Sequence, residues 1–153
     1  RSVAPKVPET LRAIFIECSY PSGRPDSTLY GHLTPEYLVD ELVVLATEVR
    51  KIKPIGHSDT NGRHTRKRQK RIPTSLDLKG ALTGLTVYVM HCKDDPETGI
   101  SMREVIVSQV KALVEMKALG CTVIGVEQGM RIRKCHPCHP NDASLSPYFT
   151  LGI

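Results

Sequence analysis

The sequence predicts an α/β fold, because apolar runs of strand length alternate with amphipathic stretches of helix length in the order strand, helix, strand, helix, strand. Each helical stretch opens on a hydroxyl residue suited to capping, and each strand-like run is bounded by Gly, Pro or polar residues. At 153 residues the chain is long enough for one domain with its own core and too short to suggest two.

Leu11 to Cys18 is rich in Ile and Phe, lies between Pro8 and Pro21-Ser22-Gly23, and reads as a buried strand ending in Glu17. A loop follows to Leu33. Thr34 then stands as N-cap with Pro35 at the first helical position and Glu36 in the first turn, and Leu38, Leu42, Leu45 and Val49 line one face of a helix reaching about Lys51. From Lys53 to Lys79 no apolar period survives, so a loop insertion is expected. In Leu85 to His91, Leu85, Val87 and Val89 alternate with Thr86, Tyr88 and Met90, so both faces are largely apolar, as in a central strand covered on both sides. Ser101 and Glu104 have the spacing of a capping box. Ile106, Val110, Leu113 and Val114 share a helical face, and Gly120 stands where a glycine following the helix belongs. Cys121 to Val126 reads as a third buried strand, and Met130 to Arg133 as a short edge strand. No internal repeat is visible, and the proline-containing tail 134–153 is expected to be poorly ordered.

Hydrophobic residues at 40% and charged residues at 24% indicate neither a disordered chain nor a membrane protein overall. The net charge of +5 is concentrated. Six of the 21 Lys and Arg residues (Arg63, Arg66, Lys67, Arg68, Lys70, Arg71) lie in one run without an acid, leaving 15 basic against 16 acidic residues elsewhere. The run reads first as a solvated loop and second as a nuclear-localisation signal. Nucleic acid is not expected as a partner, because no Phe, Trp or Tyr is interleaved between Gly56 and Gly84. The five cysteines (Cys18, Cys92, Cys121, Cys135, Cys138) lack the dense spacing of a disulfide scaffold and read as reduced thiols. Arg1 to Thr10 holds no long apolar run, so neither a signal peptide nor a membrane helix is expected, and the setting is cytoplasmic, or nuclear through residues 63–71. The missing initiator Met suggests a chain that starts inside a longer protein.

Ligands of sheets wound with helices gather where strands end and helices begin. His32 lies just before the Thr34 cap, His91 closes the second strand before Lys93-Asp94-Asp95, and Glu17 ends the first. A lone histidine near a cap, or an acid at a strand terminus, is most often merely solvated. Together, two histidines and an acid at element ends make a better site, although no pair has metal-ligand spacing of the i, i+2 or i, i+4 kind.

The stretch Ile14-Phe15-Ile16-Glu17-Cys18-Ser19-Tyr20, then Asp26 through Tyr30-Gly31-His32-Leu33-Thr34-Pro35, resembles the C-terminal part of the class II cyclic-AMP phosphodiesterases of fungi and bacteria. Val87-Tyr88-Val89-Met90-His91-Cys92-Lys93 is similar to their final histidine strand, and Glu127-Gln128-Gly129 to the turn near its end. The likeness covers about Leu11 to Arg131 apart from the insertion. It implies the C-terminal half of a metallo-β-lactamase-like αββα sandwich over residues 1–133, with a basic loop insertion at 53–79 and a separate tail. It also implies hydrolysis of 3′,5′-cyclic nucleotides, cyclic AMP or cyclic GMP, to 5′-nucleotides at two divalent metal ions, zinc first, with magnesium or manganese as alternatives.

In that family a His-x-His-x-Asp-His motif, a further His, a bridging Asp and a last His hold the ions, and of these only the last has a counterpart here, His91. The family's Gly-His-Leu histidine corresponds to His32, which would protonate the departing 3′ oxygen, while Glu17 would orient that imidazole and keep its proton in place. The chemistry needs such groups because phosphoryl charge must be neutralised and an unprotonated alkoxide leaves poorly. No His-x-His-x-Asp-His occurs in the chain, so alone it should bind metal poorly and hydrolyse little. A half sandwich also exposes a broad apolar face, from which instability or association, a homodimer in the simplest case, is expected.

Two rivals stand beside the enzyme segment. One is a catalytically degenerate binding or regulatory module of the same fold. The other is a redox or zinc-binding tail centred on Cys135-His136-Pro137-Cys138-His139, which matches C-x-x-C-H, yet lacks the second C-x-x-C of a structural zinc site and the signal peptide of a haem-attachment substrate.

Overall fold

The computed structural model describes residues 3–54, 78–93 and 101–132. The basic run 63–71, the pair Asp94-Asp95, and Cys135 and Cys138 with the tail 134–153 lie outside the described residues.

Strand β1 (Ala13–Glu17), helix α1 (Pro35–Ile52), strand β2 (Thr86–Met90), helix α2 (Met102–Met116) and strand β3 (Thr122–Gly125) follow one another in the predicted order. The three strands form one parallel sheet in the order β1-β2-β3. Ala13 faces Thr86 and Glu17 faces Met90 across the first pair, and Thr86 faces Thr122 across the second. Two crossovers in the same direction put both helices on one face of such a sheet, since right-handed connections are the rule.

That face is the core. Leu38, Leu42, Ala46 and Val49 of α1 and Ile106, Val110 and Val114 of α2 are buried against Val87, Val89 and Val123. These are largely the positions that helical spacing singles out, while Leu45 and Leu113 lie at the core's margin. Gly125 lets α2 come close: a Cβ there would sit 2.8 Å from a methyl of Val107.

The expectation that β2 is covered on both sides is corrected among the described residues. Val87 and Val89 are fully buried on the helix side, whereas on the opposite face Met90 is 41% exposed and Phe15 of β1 is 54% exposed. Phe15 stacks on Tyr88 with ring centroids 4.9 Å apart.

Three finer expectations are corrected as well. Ser101 sits at the N-cap of α2, yet its side chain makes no capping bond, and the amide of Glu104 donates instead to the Ser101 carbonyl at 3.1 Å. Helix α2 ends at Met116, two residues earlier than Gly120 suggests. Ala118, with φ 51°, occupies the left-handed position, while Ala118 and Leu119 donate to the carbonyls of Glu115 and Val114, the paired bonds of a Schellman motif. Gly120 serves packing instead, since a Cβ on it would lie 2.6 Å from Thr83 Oγ1. Leu78, at the end of the expected insertion, is buried in the turn that Gly120 abuts, as are Ala81 and Leu82. Finally, Met130 to Ile132 form no strand: Met130 closes a turn onto the Glu127 carbonyl, and Met130 and Ile132 are exposed.

Candidate functional site

Glu17, His32 and His91, separated by up to 74 positions in the chain, meet at the carboxyl ends of β1 and β2. Sheet pairing carries the first and third there, because Glu17 faces Met90, the residue before His91. His91 takes a left-handed backbone, φ 59°, which ends β2 abruptly and leaves its side chain at the surface. The connection from β1 to α1 supplies His32. Tyr30 and Gly31 are both left-handed, at φ 51° and 82°, and the His32 amide donates to the Leu29 carbonyl, a tight turn that delivers the imidazole just before α1 starts.

The Glu17 carboxylate is held at both oxygens. Its Oε1 accepts the Leu33 amide at 2.7 Å and its Oε2 accepts the Ser19 hydroxyl at 2.7 Å. His32 Nδ1 lies 3.3 Å from Ser19 Oγ and 3.5 Å from Glu17 Oε2. The His32 and His91 rings meet edge to face with centroids 5.2 Å apart. One donor atom from each of Glu17, His32 and His91 falls within 4.8 Å of the other two, and two nitrogens with a carboxylate oxygen are a donor set that could hold a divalent cation.

Behind His32 stands a second group that sequence reasoning missed. Tyr20 is buried and packs edge-on against the His32 ring at 5.9 Å. The Lys93 ammonium donates to its hydroxyl at 2.9 Å, and the Arg24 guanidinium lies 3.8 Å over its ring. Ser19, fully buried, was also without a role at the level of sequence. The signal existed: a hydroxyl two residues beyond Glu17 at a strand end has its side chain on the same side. Which nitrogen it meets is a matter of tertiary structure only. Between them, Cys18 points into the core, where burial pushes its thiol up to about 12. At the start of α1, burial raises the Glu36 carboxyl but hydrogen bonds with Ser22, its own backbone and Thr34 outweigh this, leaving it below the ordinary value.

A parallel sheet with an acid and two imidazoles converging on its carboxyl edge is the arrangement of a ligand-binding α/β protein. Residues 1–129 match the class-II cAMP phosphodiesterases, and the chain belongs to that family. It is 34% identical over 119 residues to a 3′,5′-cyclic-nucleotide phosphodiesterase of Aliivibrio fischeri, covering 78% of this chain and 27% of that protein. Against the Candida albicans 3′,5′-cyclic-nucleotide phosphodiesterase it is 31% identical, covering 74% of this chain and 24% of the relative. The crystal structure of unliganded yeast PDE1 superposes with a TM-score of 0.56 at 29% identity, over 82% of this chain and 27% of that one. The chain thus spans about a quarter of the length of the curated relatives it matches. Among the described residues no helix is long and apolar enough to cross a membrane.

Proposed function

We propose that this chain contributes part of the active site of a two-metal 3′,5′-cyclic-nucleotide phosphodiesterase, with His91 as a metal ligand, His32 as the acid for the leaving oxygen and Glu17 as the carboxylate that orients His32. The convergence of these three side chains within 4.8 Å supports the reading. The substrate is cyclic AMP or cyclic GMP. Residues 1–133 would form part of a metallo-β-lactamase-like domain, with 53–79 inserted and 134–153 outside it.

When bound, the ions would neutralise charge on the phosphoryl oxygens, and zinc, magnesium or manganese would suit the purpose. Glu17 and His32 of this chain would act at the leaving oxygen. Glu17, fixed by the Leu33 amide and the Ser19 hydroxyl, cannot swing away from His32, so the imidazole presents its remaining nitrogen outward to the departing 3′ oxygen. His91, exposed on a left-handed backbone, offers a nitrogen to a cation held mainly by residues that this chain lacks, since it contains no His-x-His-x-Asp-His. The chain alone would hydrolyse little.

A second reading is favoured by the same distances: Glu17, His32 and His91 together hold one cation. The two separate in a chimera in which residues 1–132 replace the matching segment of the Aliivibrio fischeri enzyme. With His32 as acid, His32→Ala lowers turnover of cyclic AMP by about 10²–10⁴-fold while metal content by mass spectrometry stays nearly intact, and His91→Ala loses metal and turnover together. Equal metal loss in both variants would instead establish the three-donor cation site. A folded, metal-loaded chimera without turnover would favour the degenerate module.

A further inference from the structure

We infer that Ser19 is a positioning residue interposed between Glu17 and His32, a hydroxyl relay that keeps a proton on Nδ1 of His32 and so reserves Nε2 for the reacting oxygen. The geometric statement stands by itself, and its catalytic meaning rests on the phosphodiesterase reading above.

A serine hydroxyl has one hydrogen to give and two lone pairs to accept with. Ser19 Oγ lies 2.7 Å from Glu17 Oε2, and an ionised carboxylate can only accept, so the hydrogen goes to Glu17. What Ser19 has left for His32 Nδ1, 3.3 Å away, is a lone pair. The contact is then satisfied only if Nδ1 carries the hydrogen. The direct distance from Nδ1 to Glu17 Oε2 is longer, 3.5 Å, and that oxygen already holds the serine. The neutral ring therefore has its hydrogen on Nδ1 and its lone pair on Nε2.

Ser19 is unusually well placed for this. Its side chain is fully buried, which strengthens both bonds and penalises leaving either unmade. Its own amide donates to the Leu33 carbonyl at 3.1 Å, and its carbonyl accepts the Lys93 amide at 3.0 Å. One residue thus fastens the end of β1 to the loop that carries His32 and to the loop that follows His91, while its hydroxyl sets the tautomer.

In the reaction, water provides the hydroxyl group that joins phosphorus and gives up its other proton to solvent. The bond from phosphorus to the 3′ oxygen breaks with its electron pair on oxygen, and that oxygen takes the proton from Nε2 of the imidazolium. His32 is left neutral with hydrogen on Nδ1, the tautomer Ser19 favours, and regains the Nε2 proton from solvent. A relay of this kind makes Nε2 the proton that is lost.

The chain labelled with nitrogen-15 histidine tests the relay without any turnover. Two-bond nitrogen–proton correlation spectra, recorded where the imidazoles are neutral and assigned with His32→Gln, should show His32 as the Nδ1–H form in the native chain. Ser19→Ala should shift it toward the Nε2–H form or a mixture, and Ser19→Thr, which keeps the hydroxyl, should restore it. An unchanged Nδ1–H signal in Ser19→Ala would overturn the inference and leave Glu17 as the sole determinant. Should Ser19→Ala not fold, Ser19→Cys carries the same test, because a thiol is a weak donor and acceptor and must shift the ratio partway. In the chimera, Ser19→Ala should lower kcat about tenfold, a part of the ~10²–10⁴ that a positioned acid contributes, with KM little changed. A relay seen in the spectra of a chimera that has no turnover would sink the phosphodiesterase reading alone.

Discussion

The two faces of the sheet are made of similar residues and meet opposite fates. On one side Val87, Val89 and Val123 disappear beneath α1 and α2, with Ile14 and Ile16 packed at the margin. On the other, one residue out of step along the same strands, Phe15 and Met90 stand largely exposed, and among the described residues Phe15 stacks on Tyr88 alone. Parallel sheets are ordinarily clothed on both sides. The alternation within each strand therefore states what each face requires, and only one of the two requirements is met by the described residues.

If the helix-covered face carries the stability, truncating it should hurt most. Leu42→Ala, in a fully buried position of α1, should lower unfolding free energy by about 2–5 kcal/mol in urea titrations, the range for removing most of a buried leucine. The bare face should behave differently. Phe15→Ser should cost only about 0.5–1.5 kcal/mol, mostly the lost aromatic stack, while weakening self-association measured by sedimentation. A loss as large as that of Leu42→Ala, with unchanged association, would mean that the outer face is part of the core after all. Smallest of all, Ala118→Gly should raise stability by at most about 1 kcal/mol, because glycine takes the left-handed turn after α2 without the strain alanine bears. It touches neither face and so calibrates the comparison.

The period of two in Ile14-Phe15-Ile16 and Val87-Tyr88-Val89, and the three- and four-residue spacings of Leu38, Leu42 and Ile106, Val110, made the architecture readable, since these patterns follow from strand and helix geometry alone. Element ends were harder to read. Ser101 and Glu104 have the letters of a capping box but not the side-chain cap bond, and Gly120 marks a close approach to Thr83 rather than the helix terminus. In the site, Glu17, His32 and His91 were singled out by their places at element ends and by resemblance. Ser19, Tyr20, Arg24 and Lys93 were not, because a hydrogen bond between the thirteenth residue back and an imidazole, or a cation resting on a ring, exists only once three loops have been brought together.

The pairing of β1 with β2 is also a measuring device. Side chains on a strand change sides at every step, so moving β1 by a single position along its neighbour would turn Glu17 away from the loop of His32 and bury Phe15 in place of Ile14. Near-misses in strand alignment consequently cannot yield a weakened site; they yield none. The contact between the two imidazoles is a reporter of correct assembly, and its appearance during refolding would time the moment at which the sheet has found its alignment.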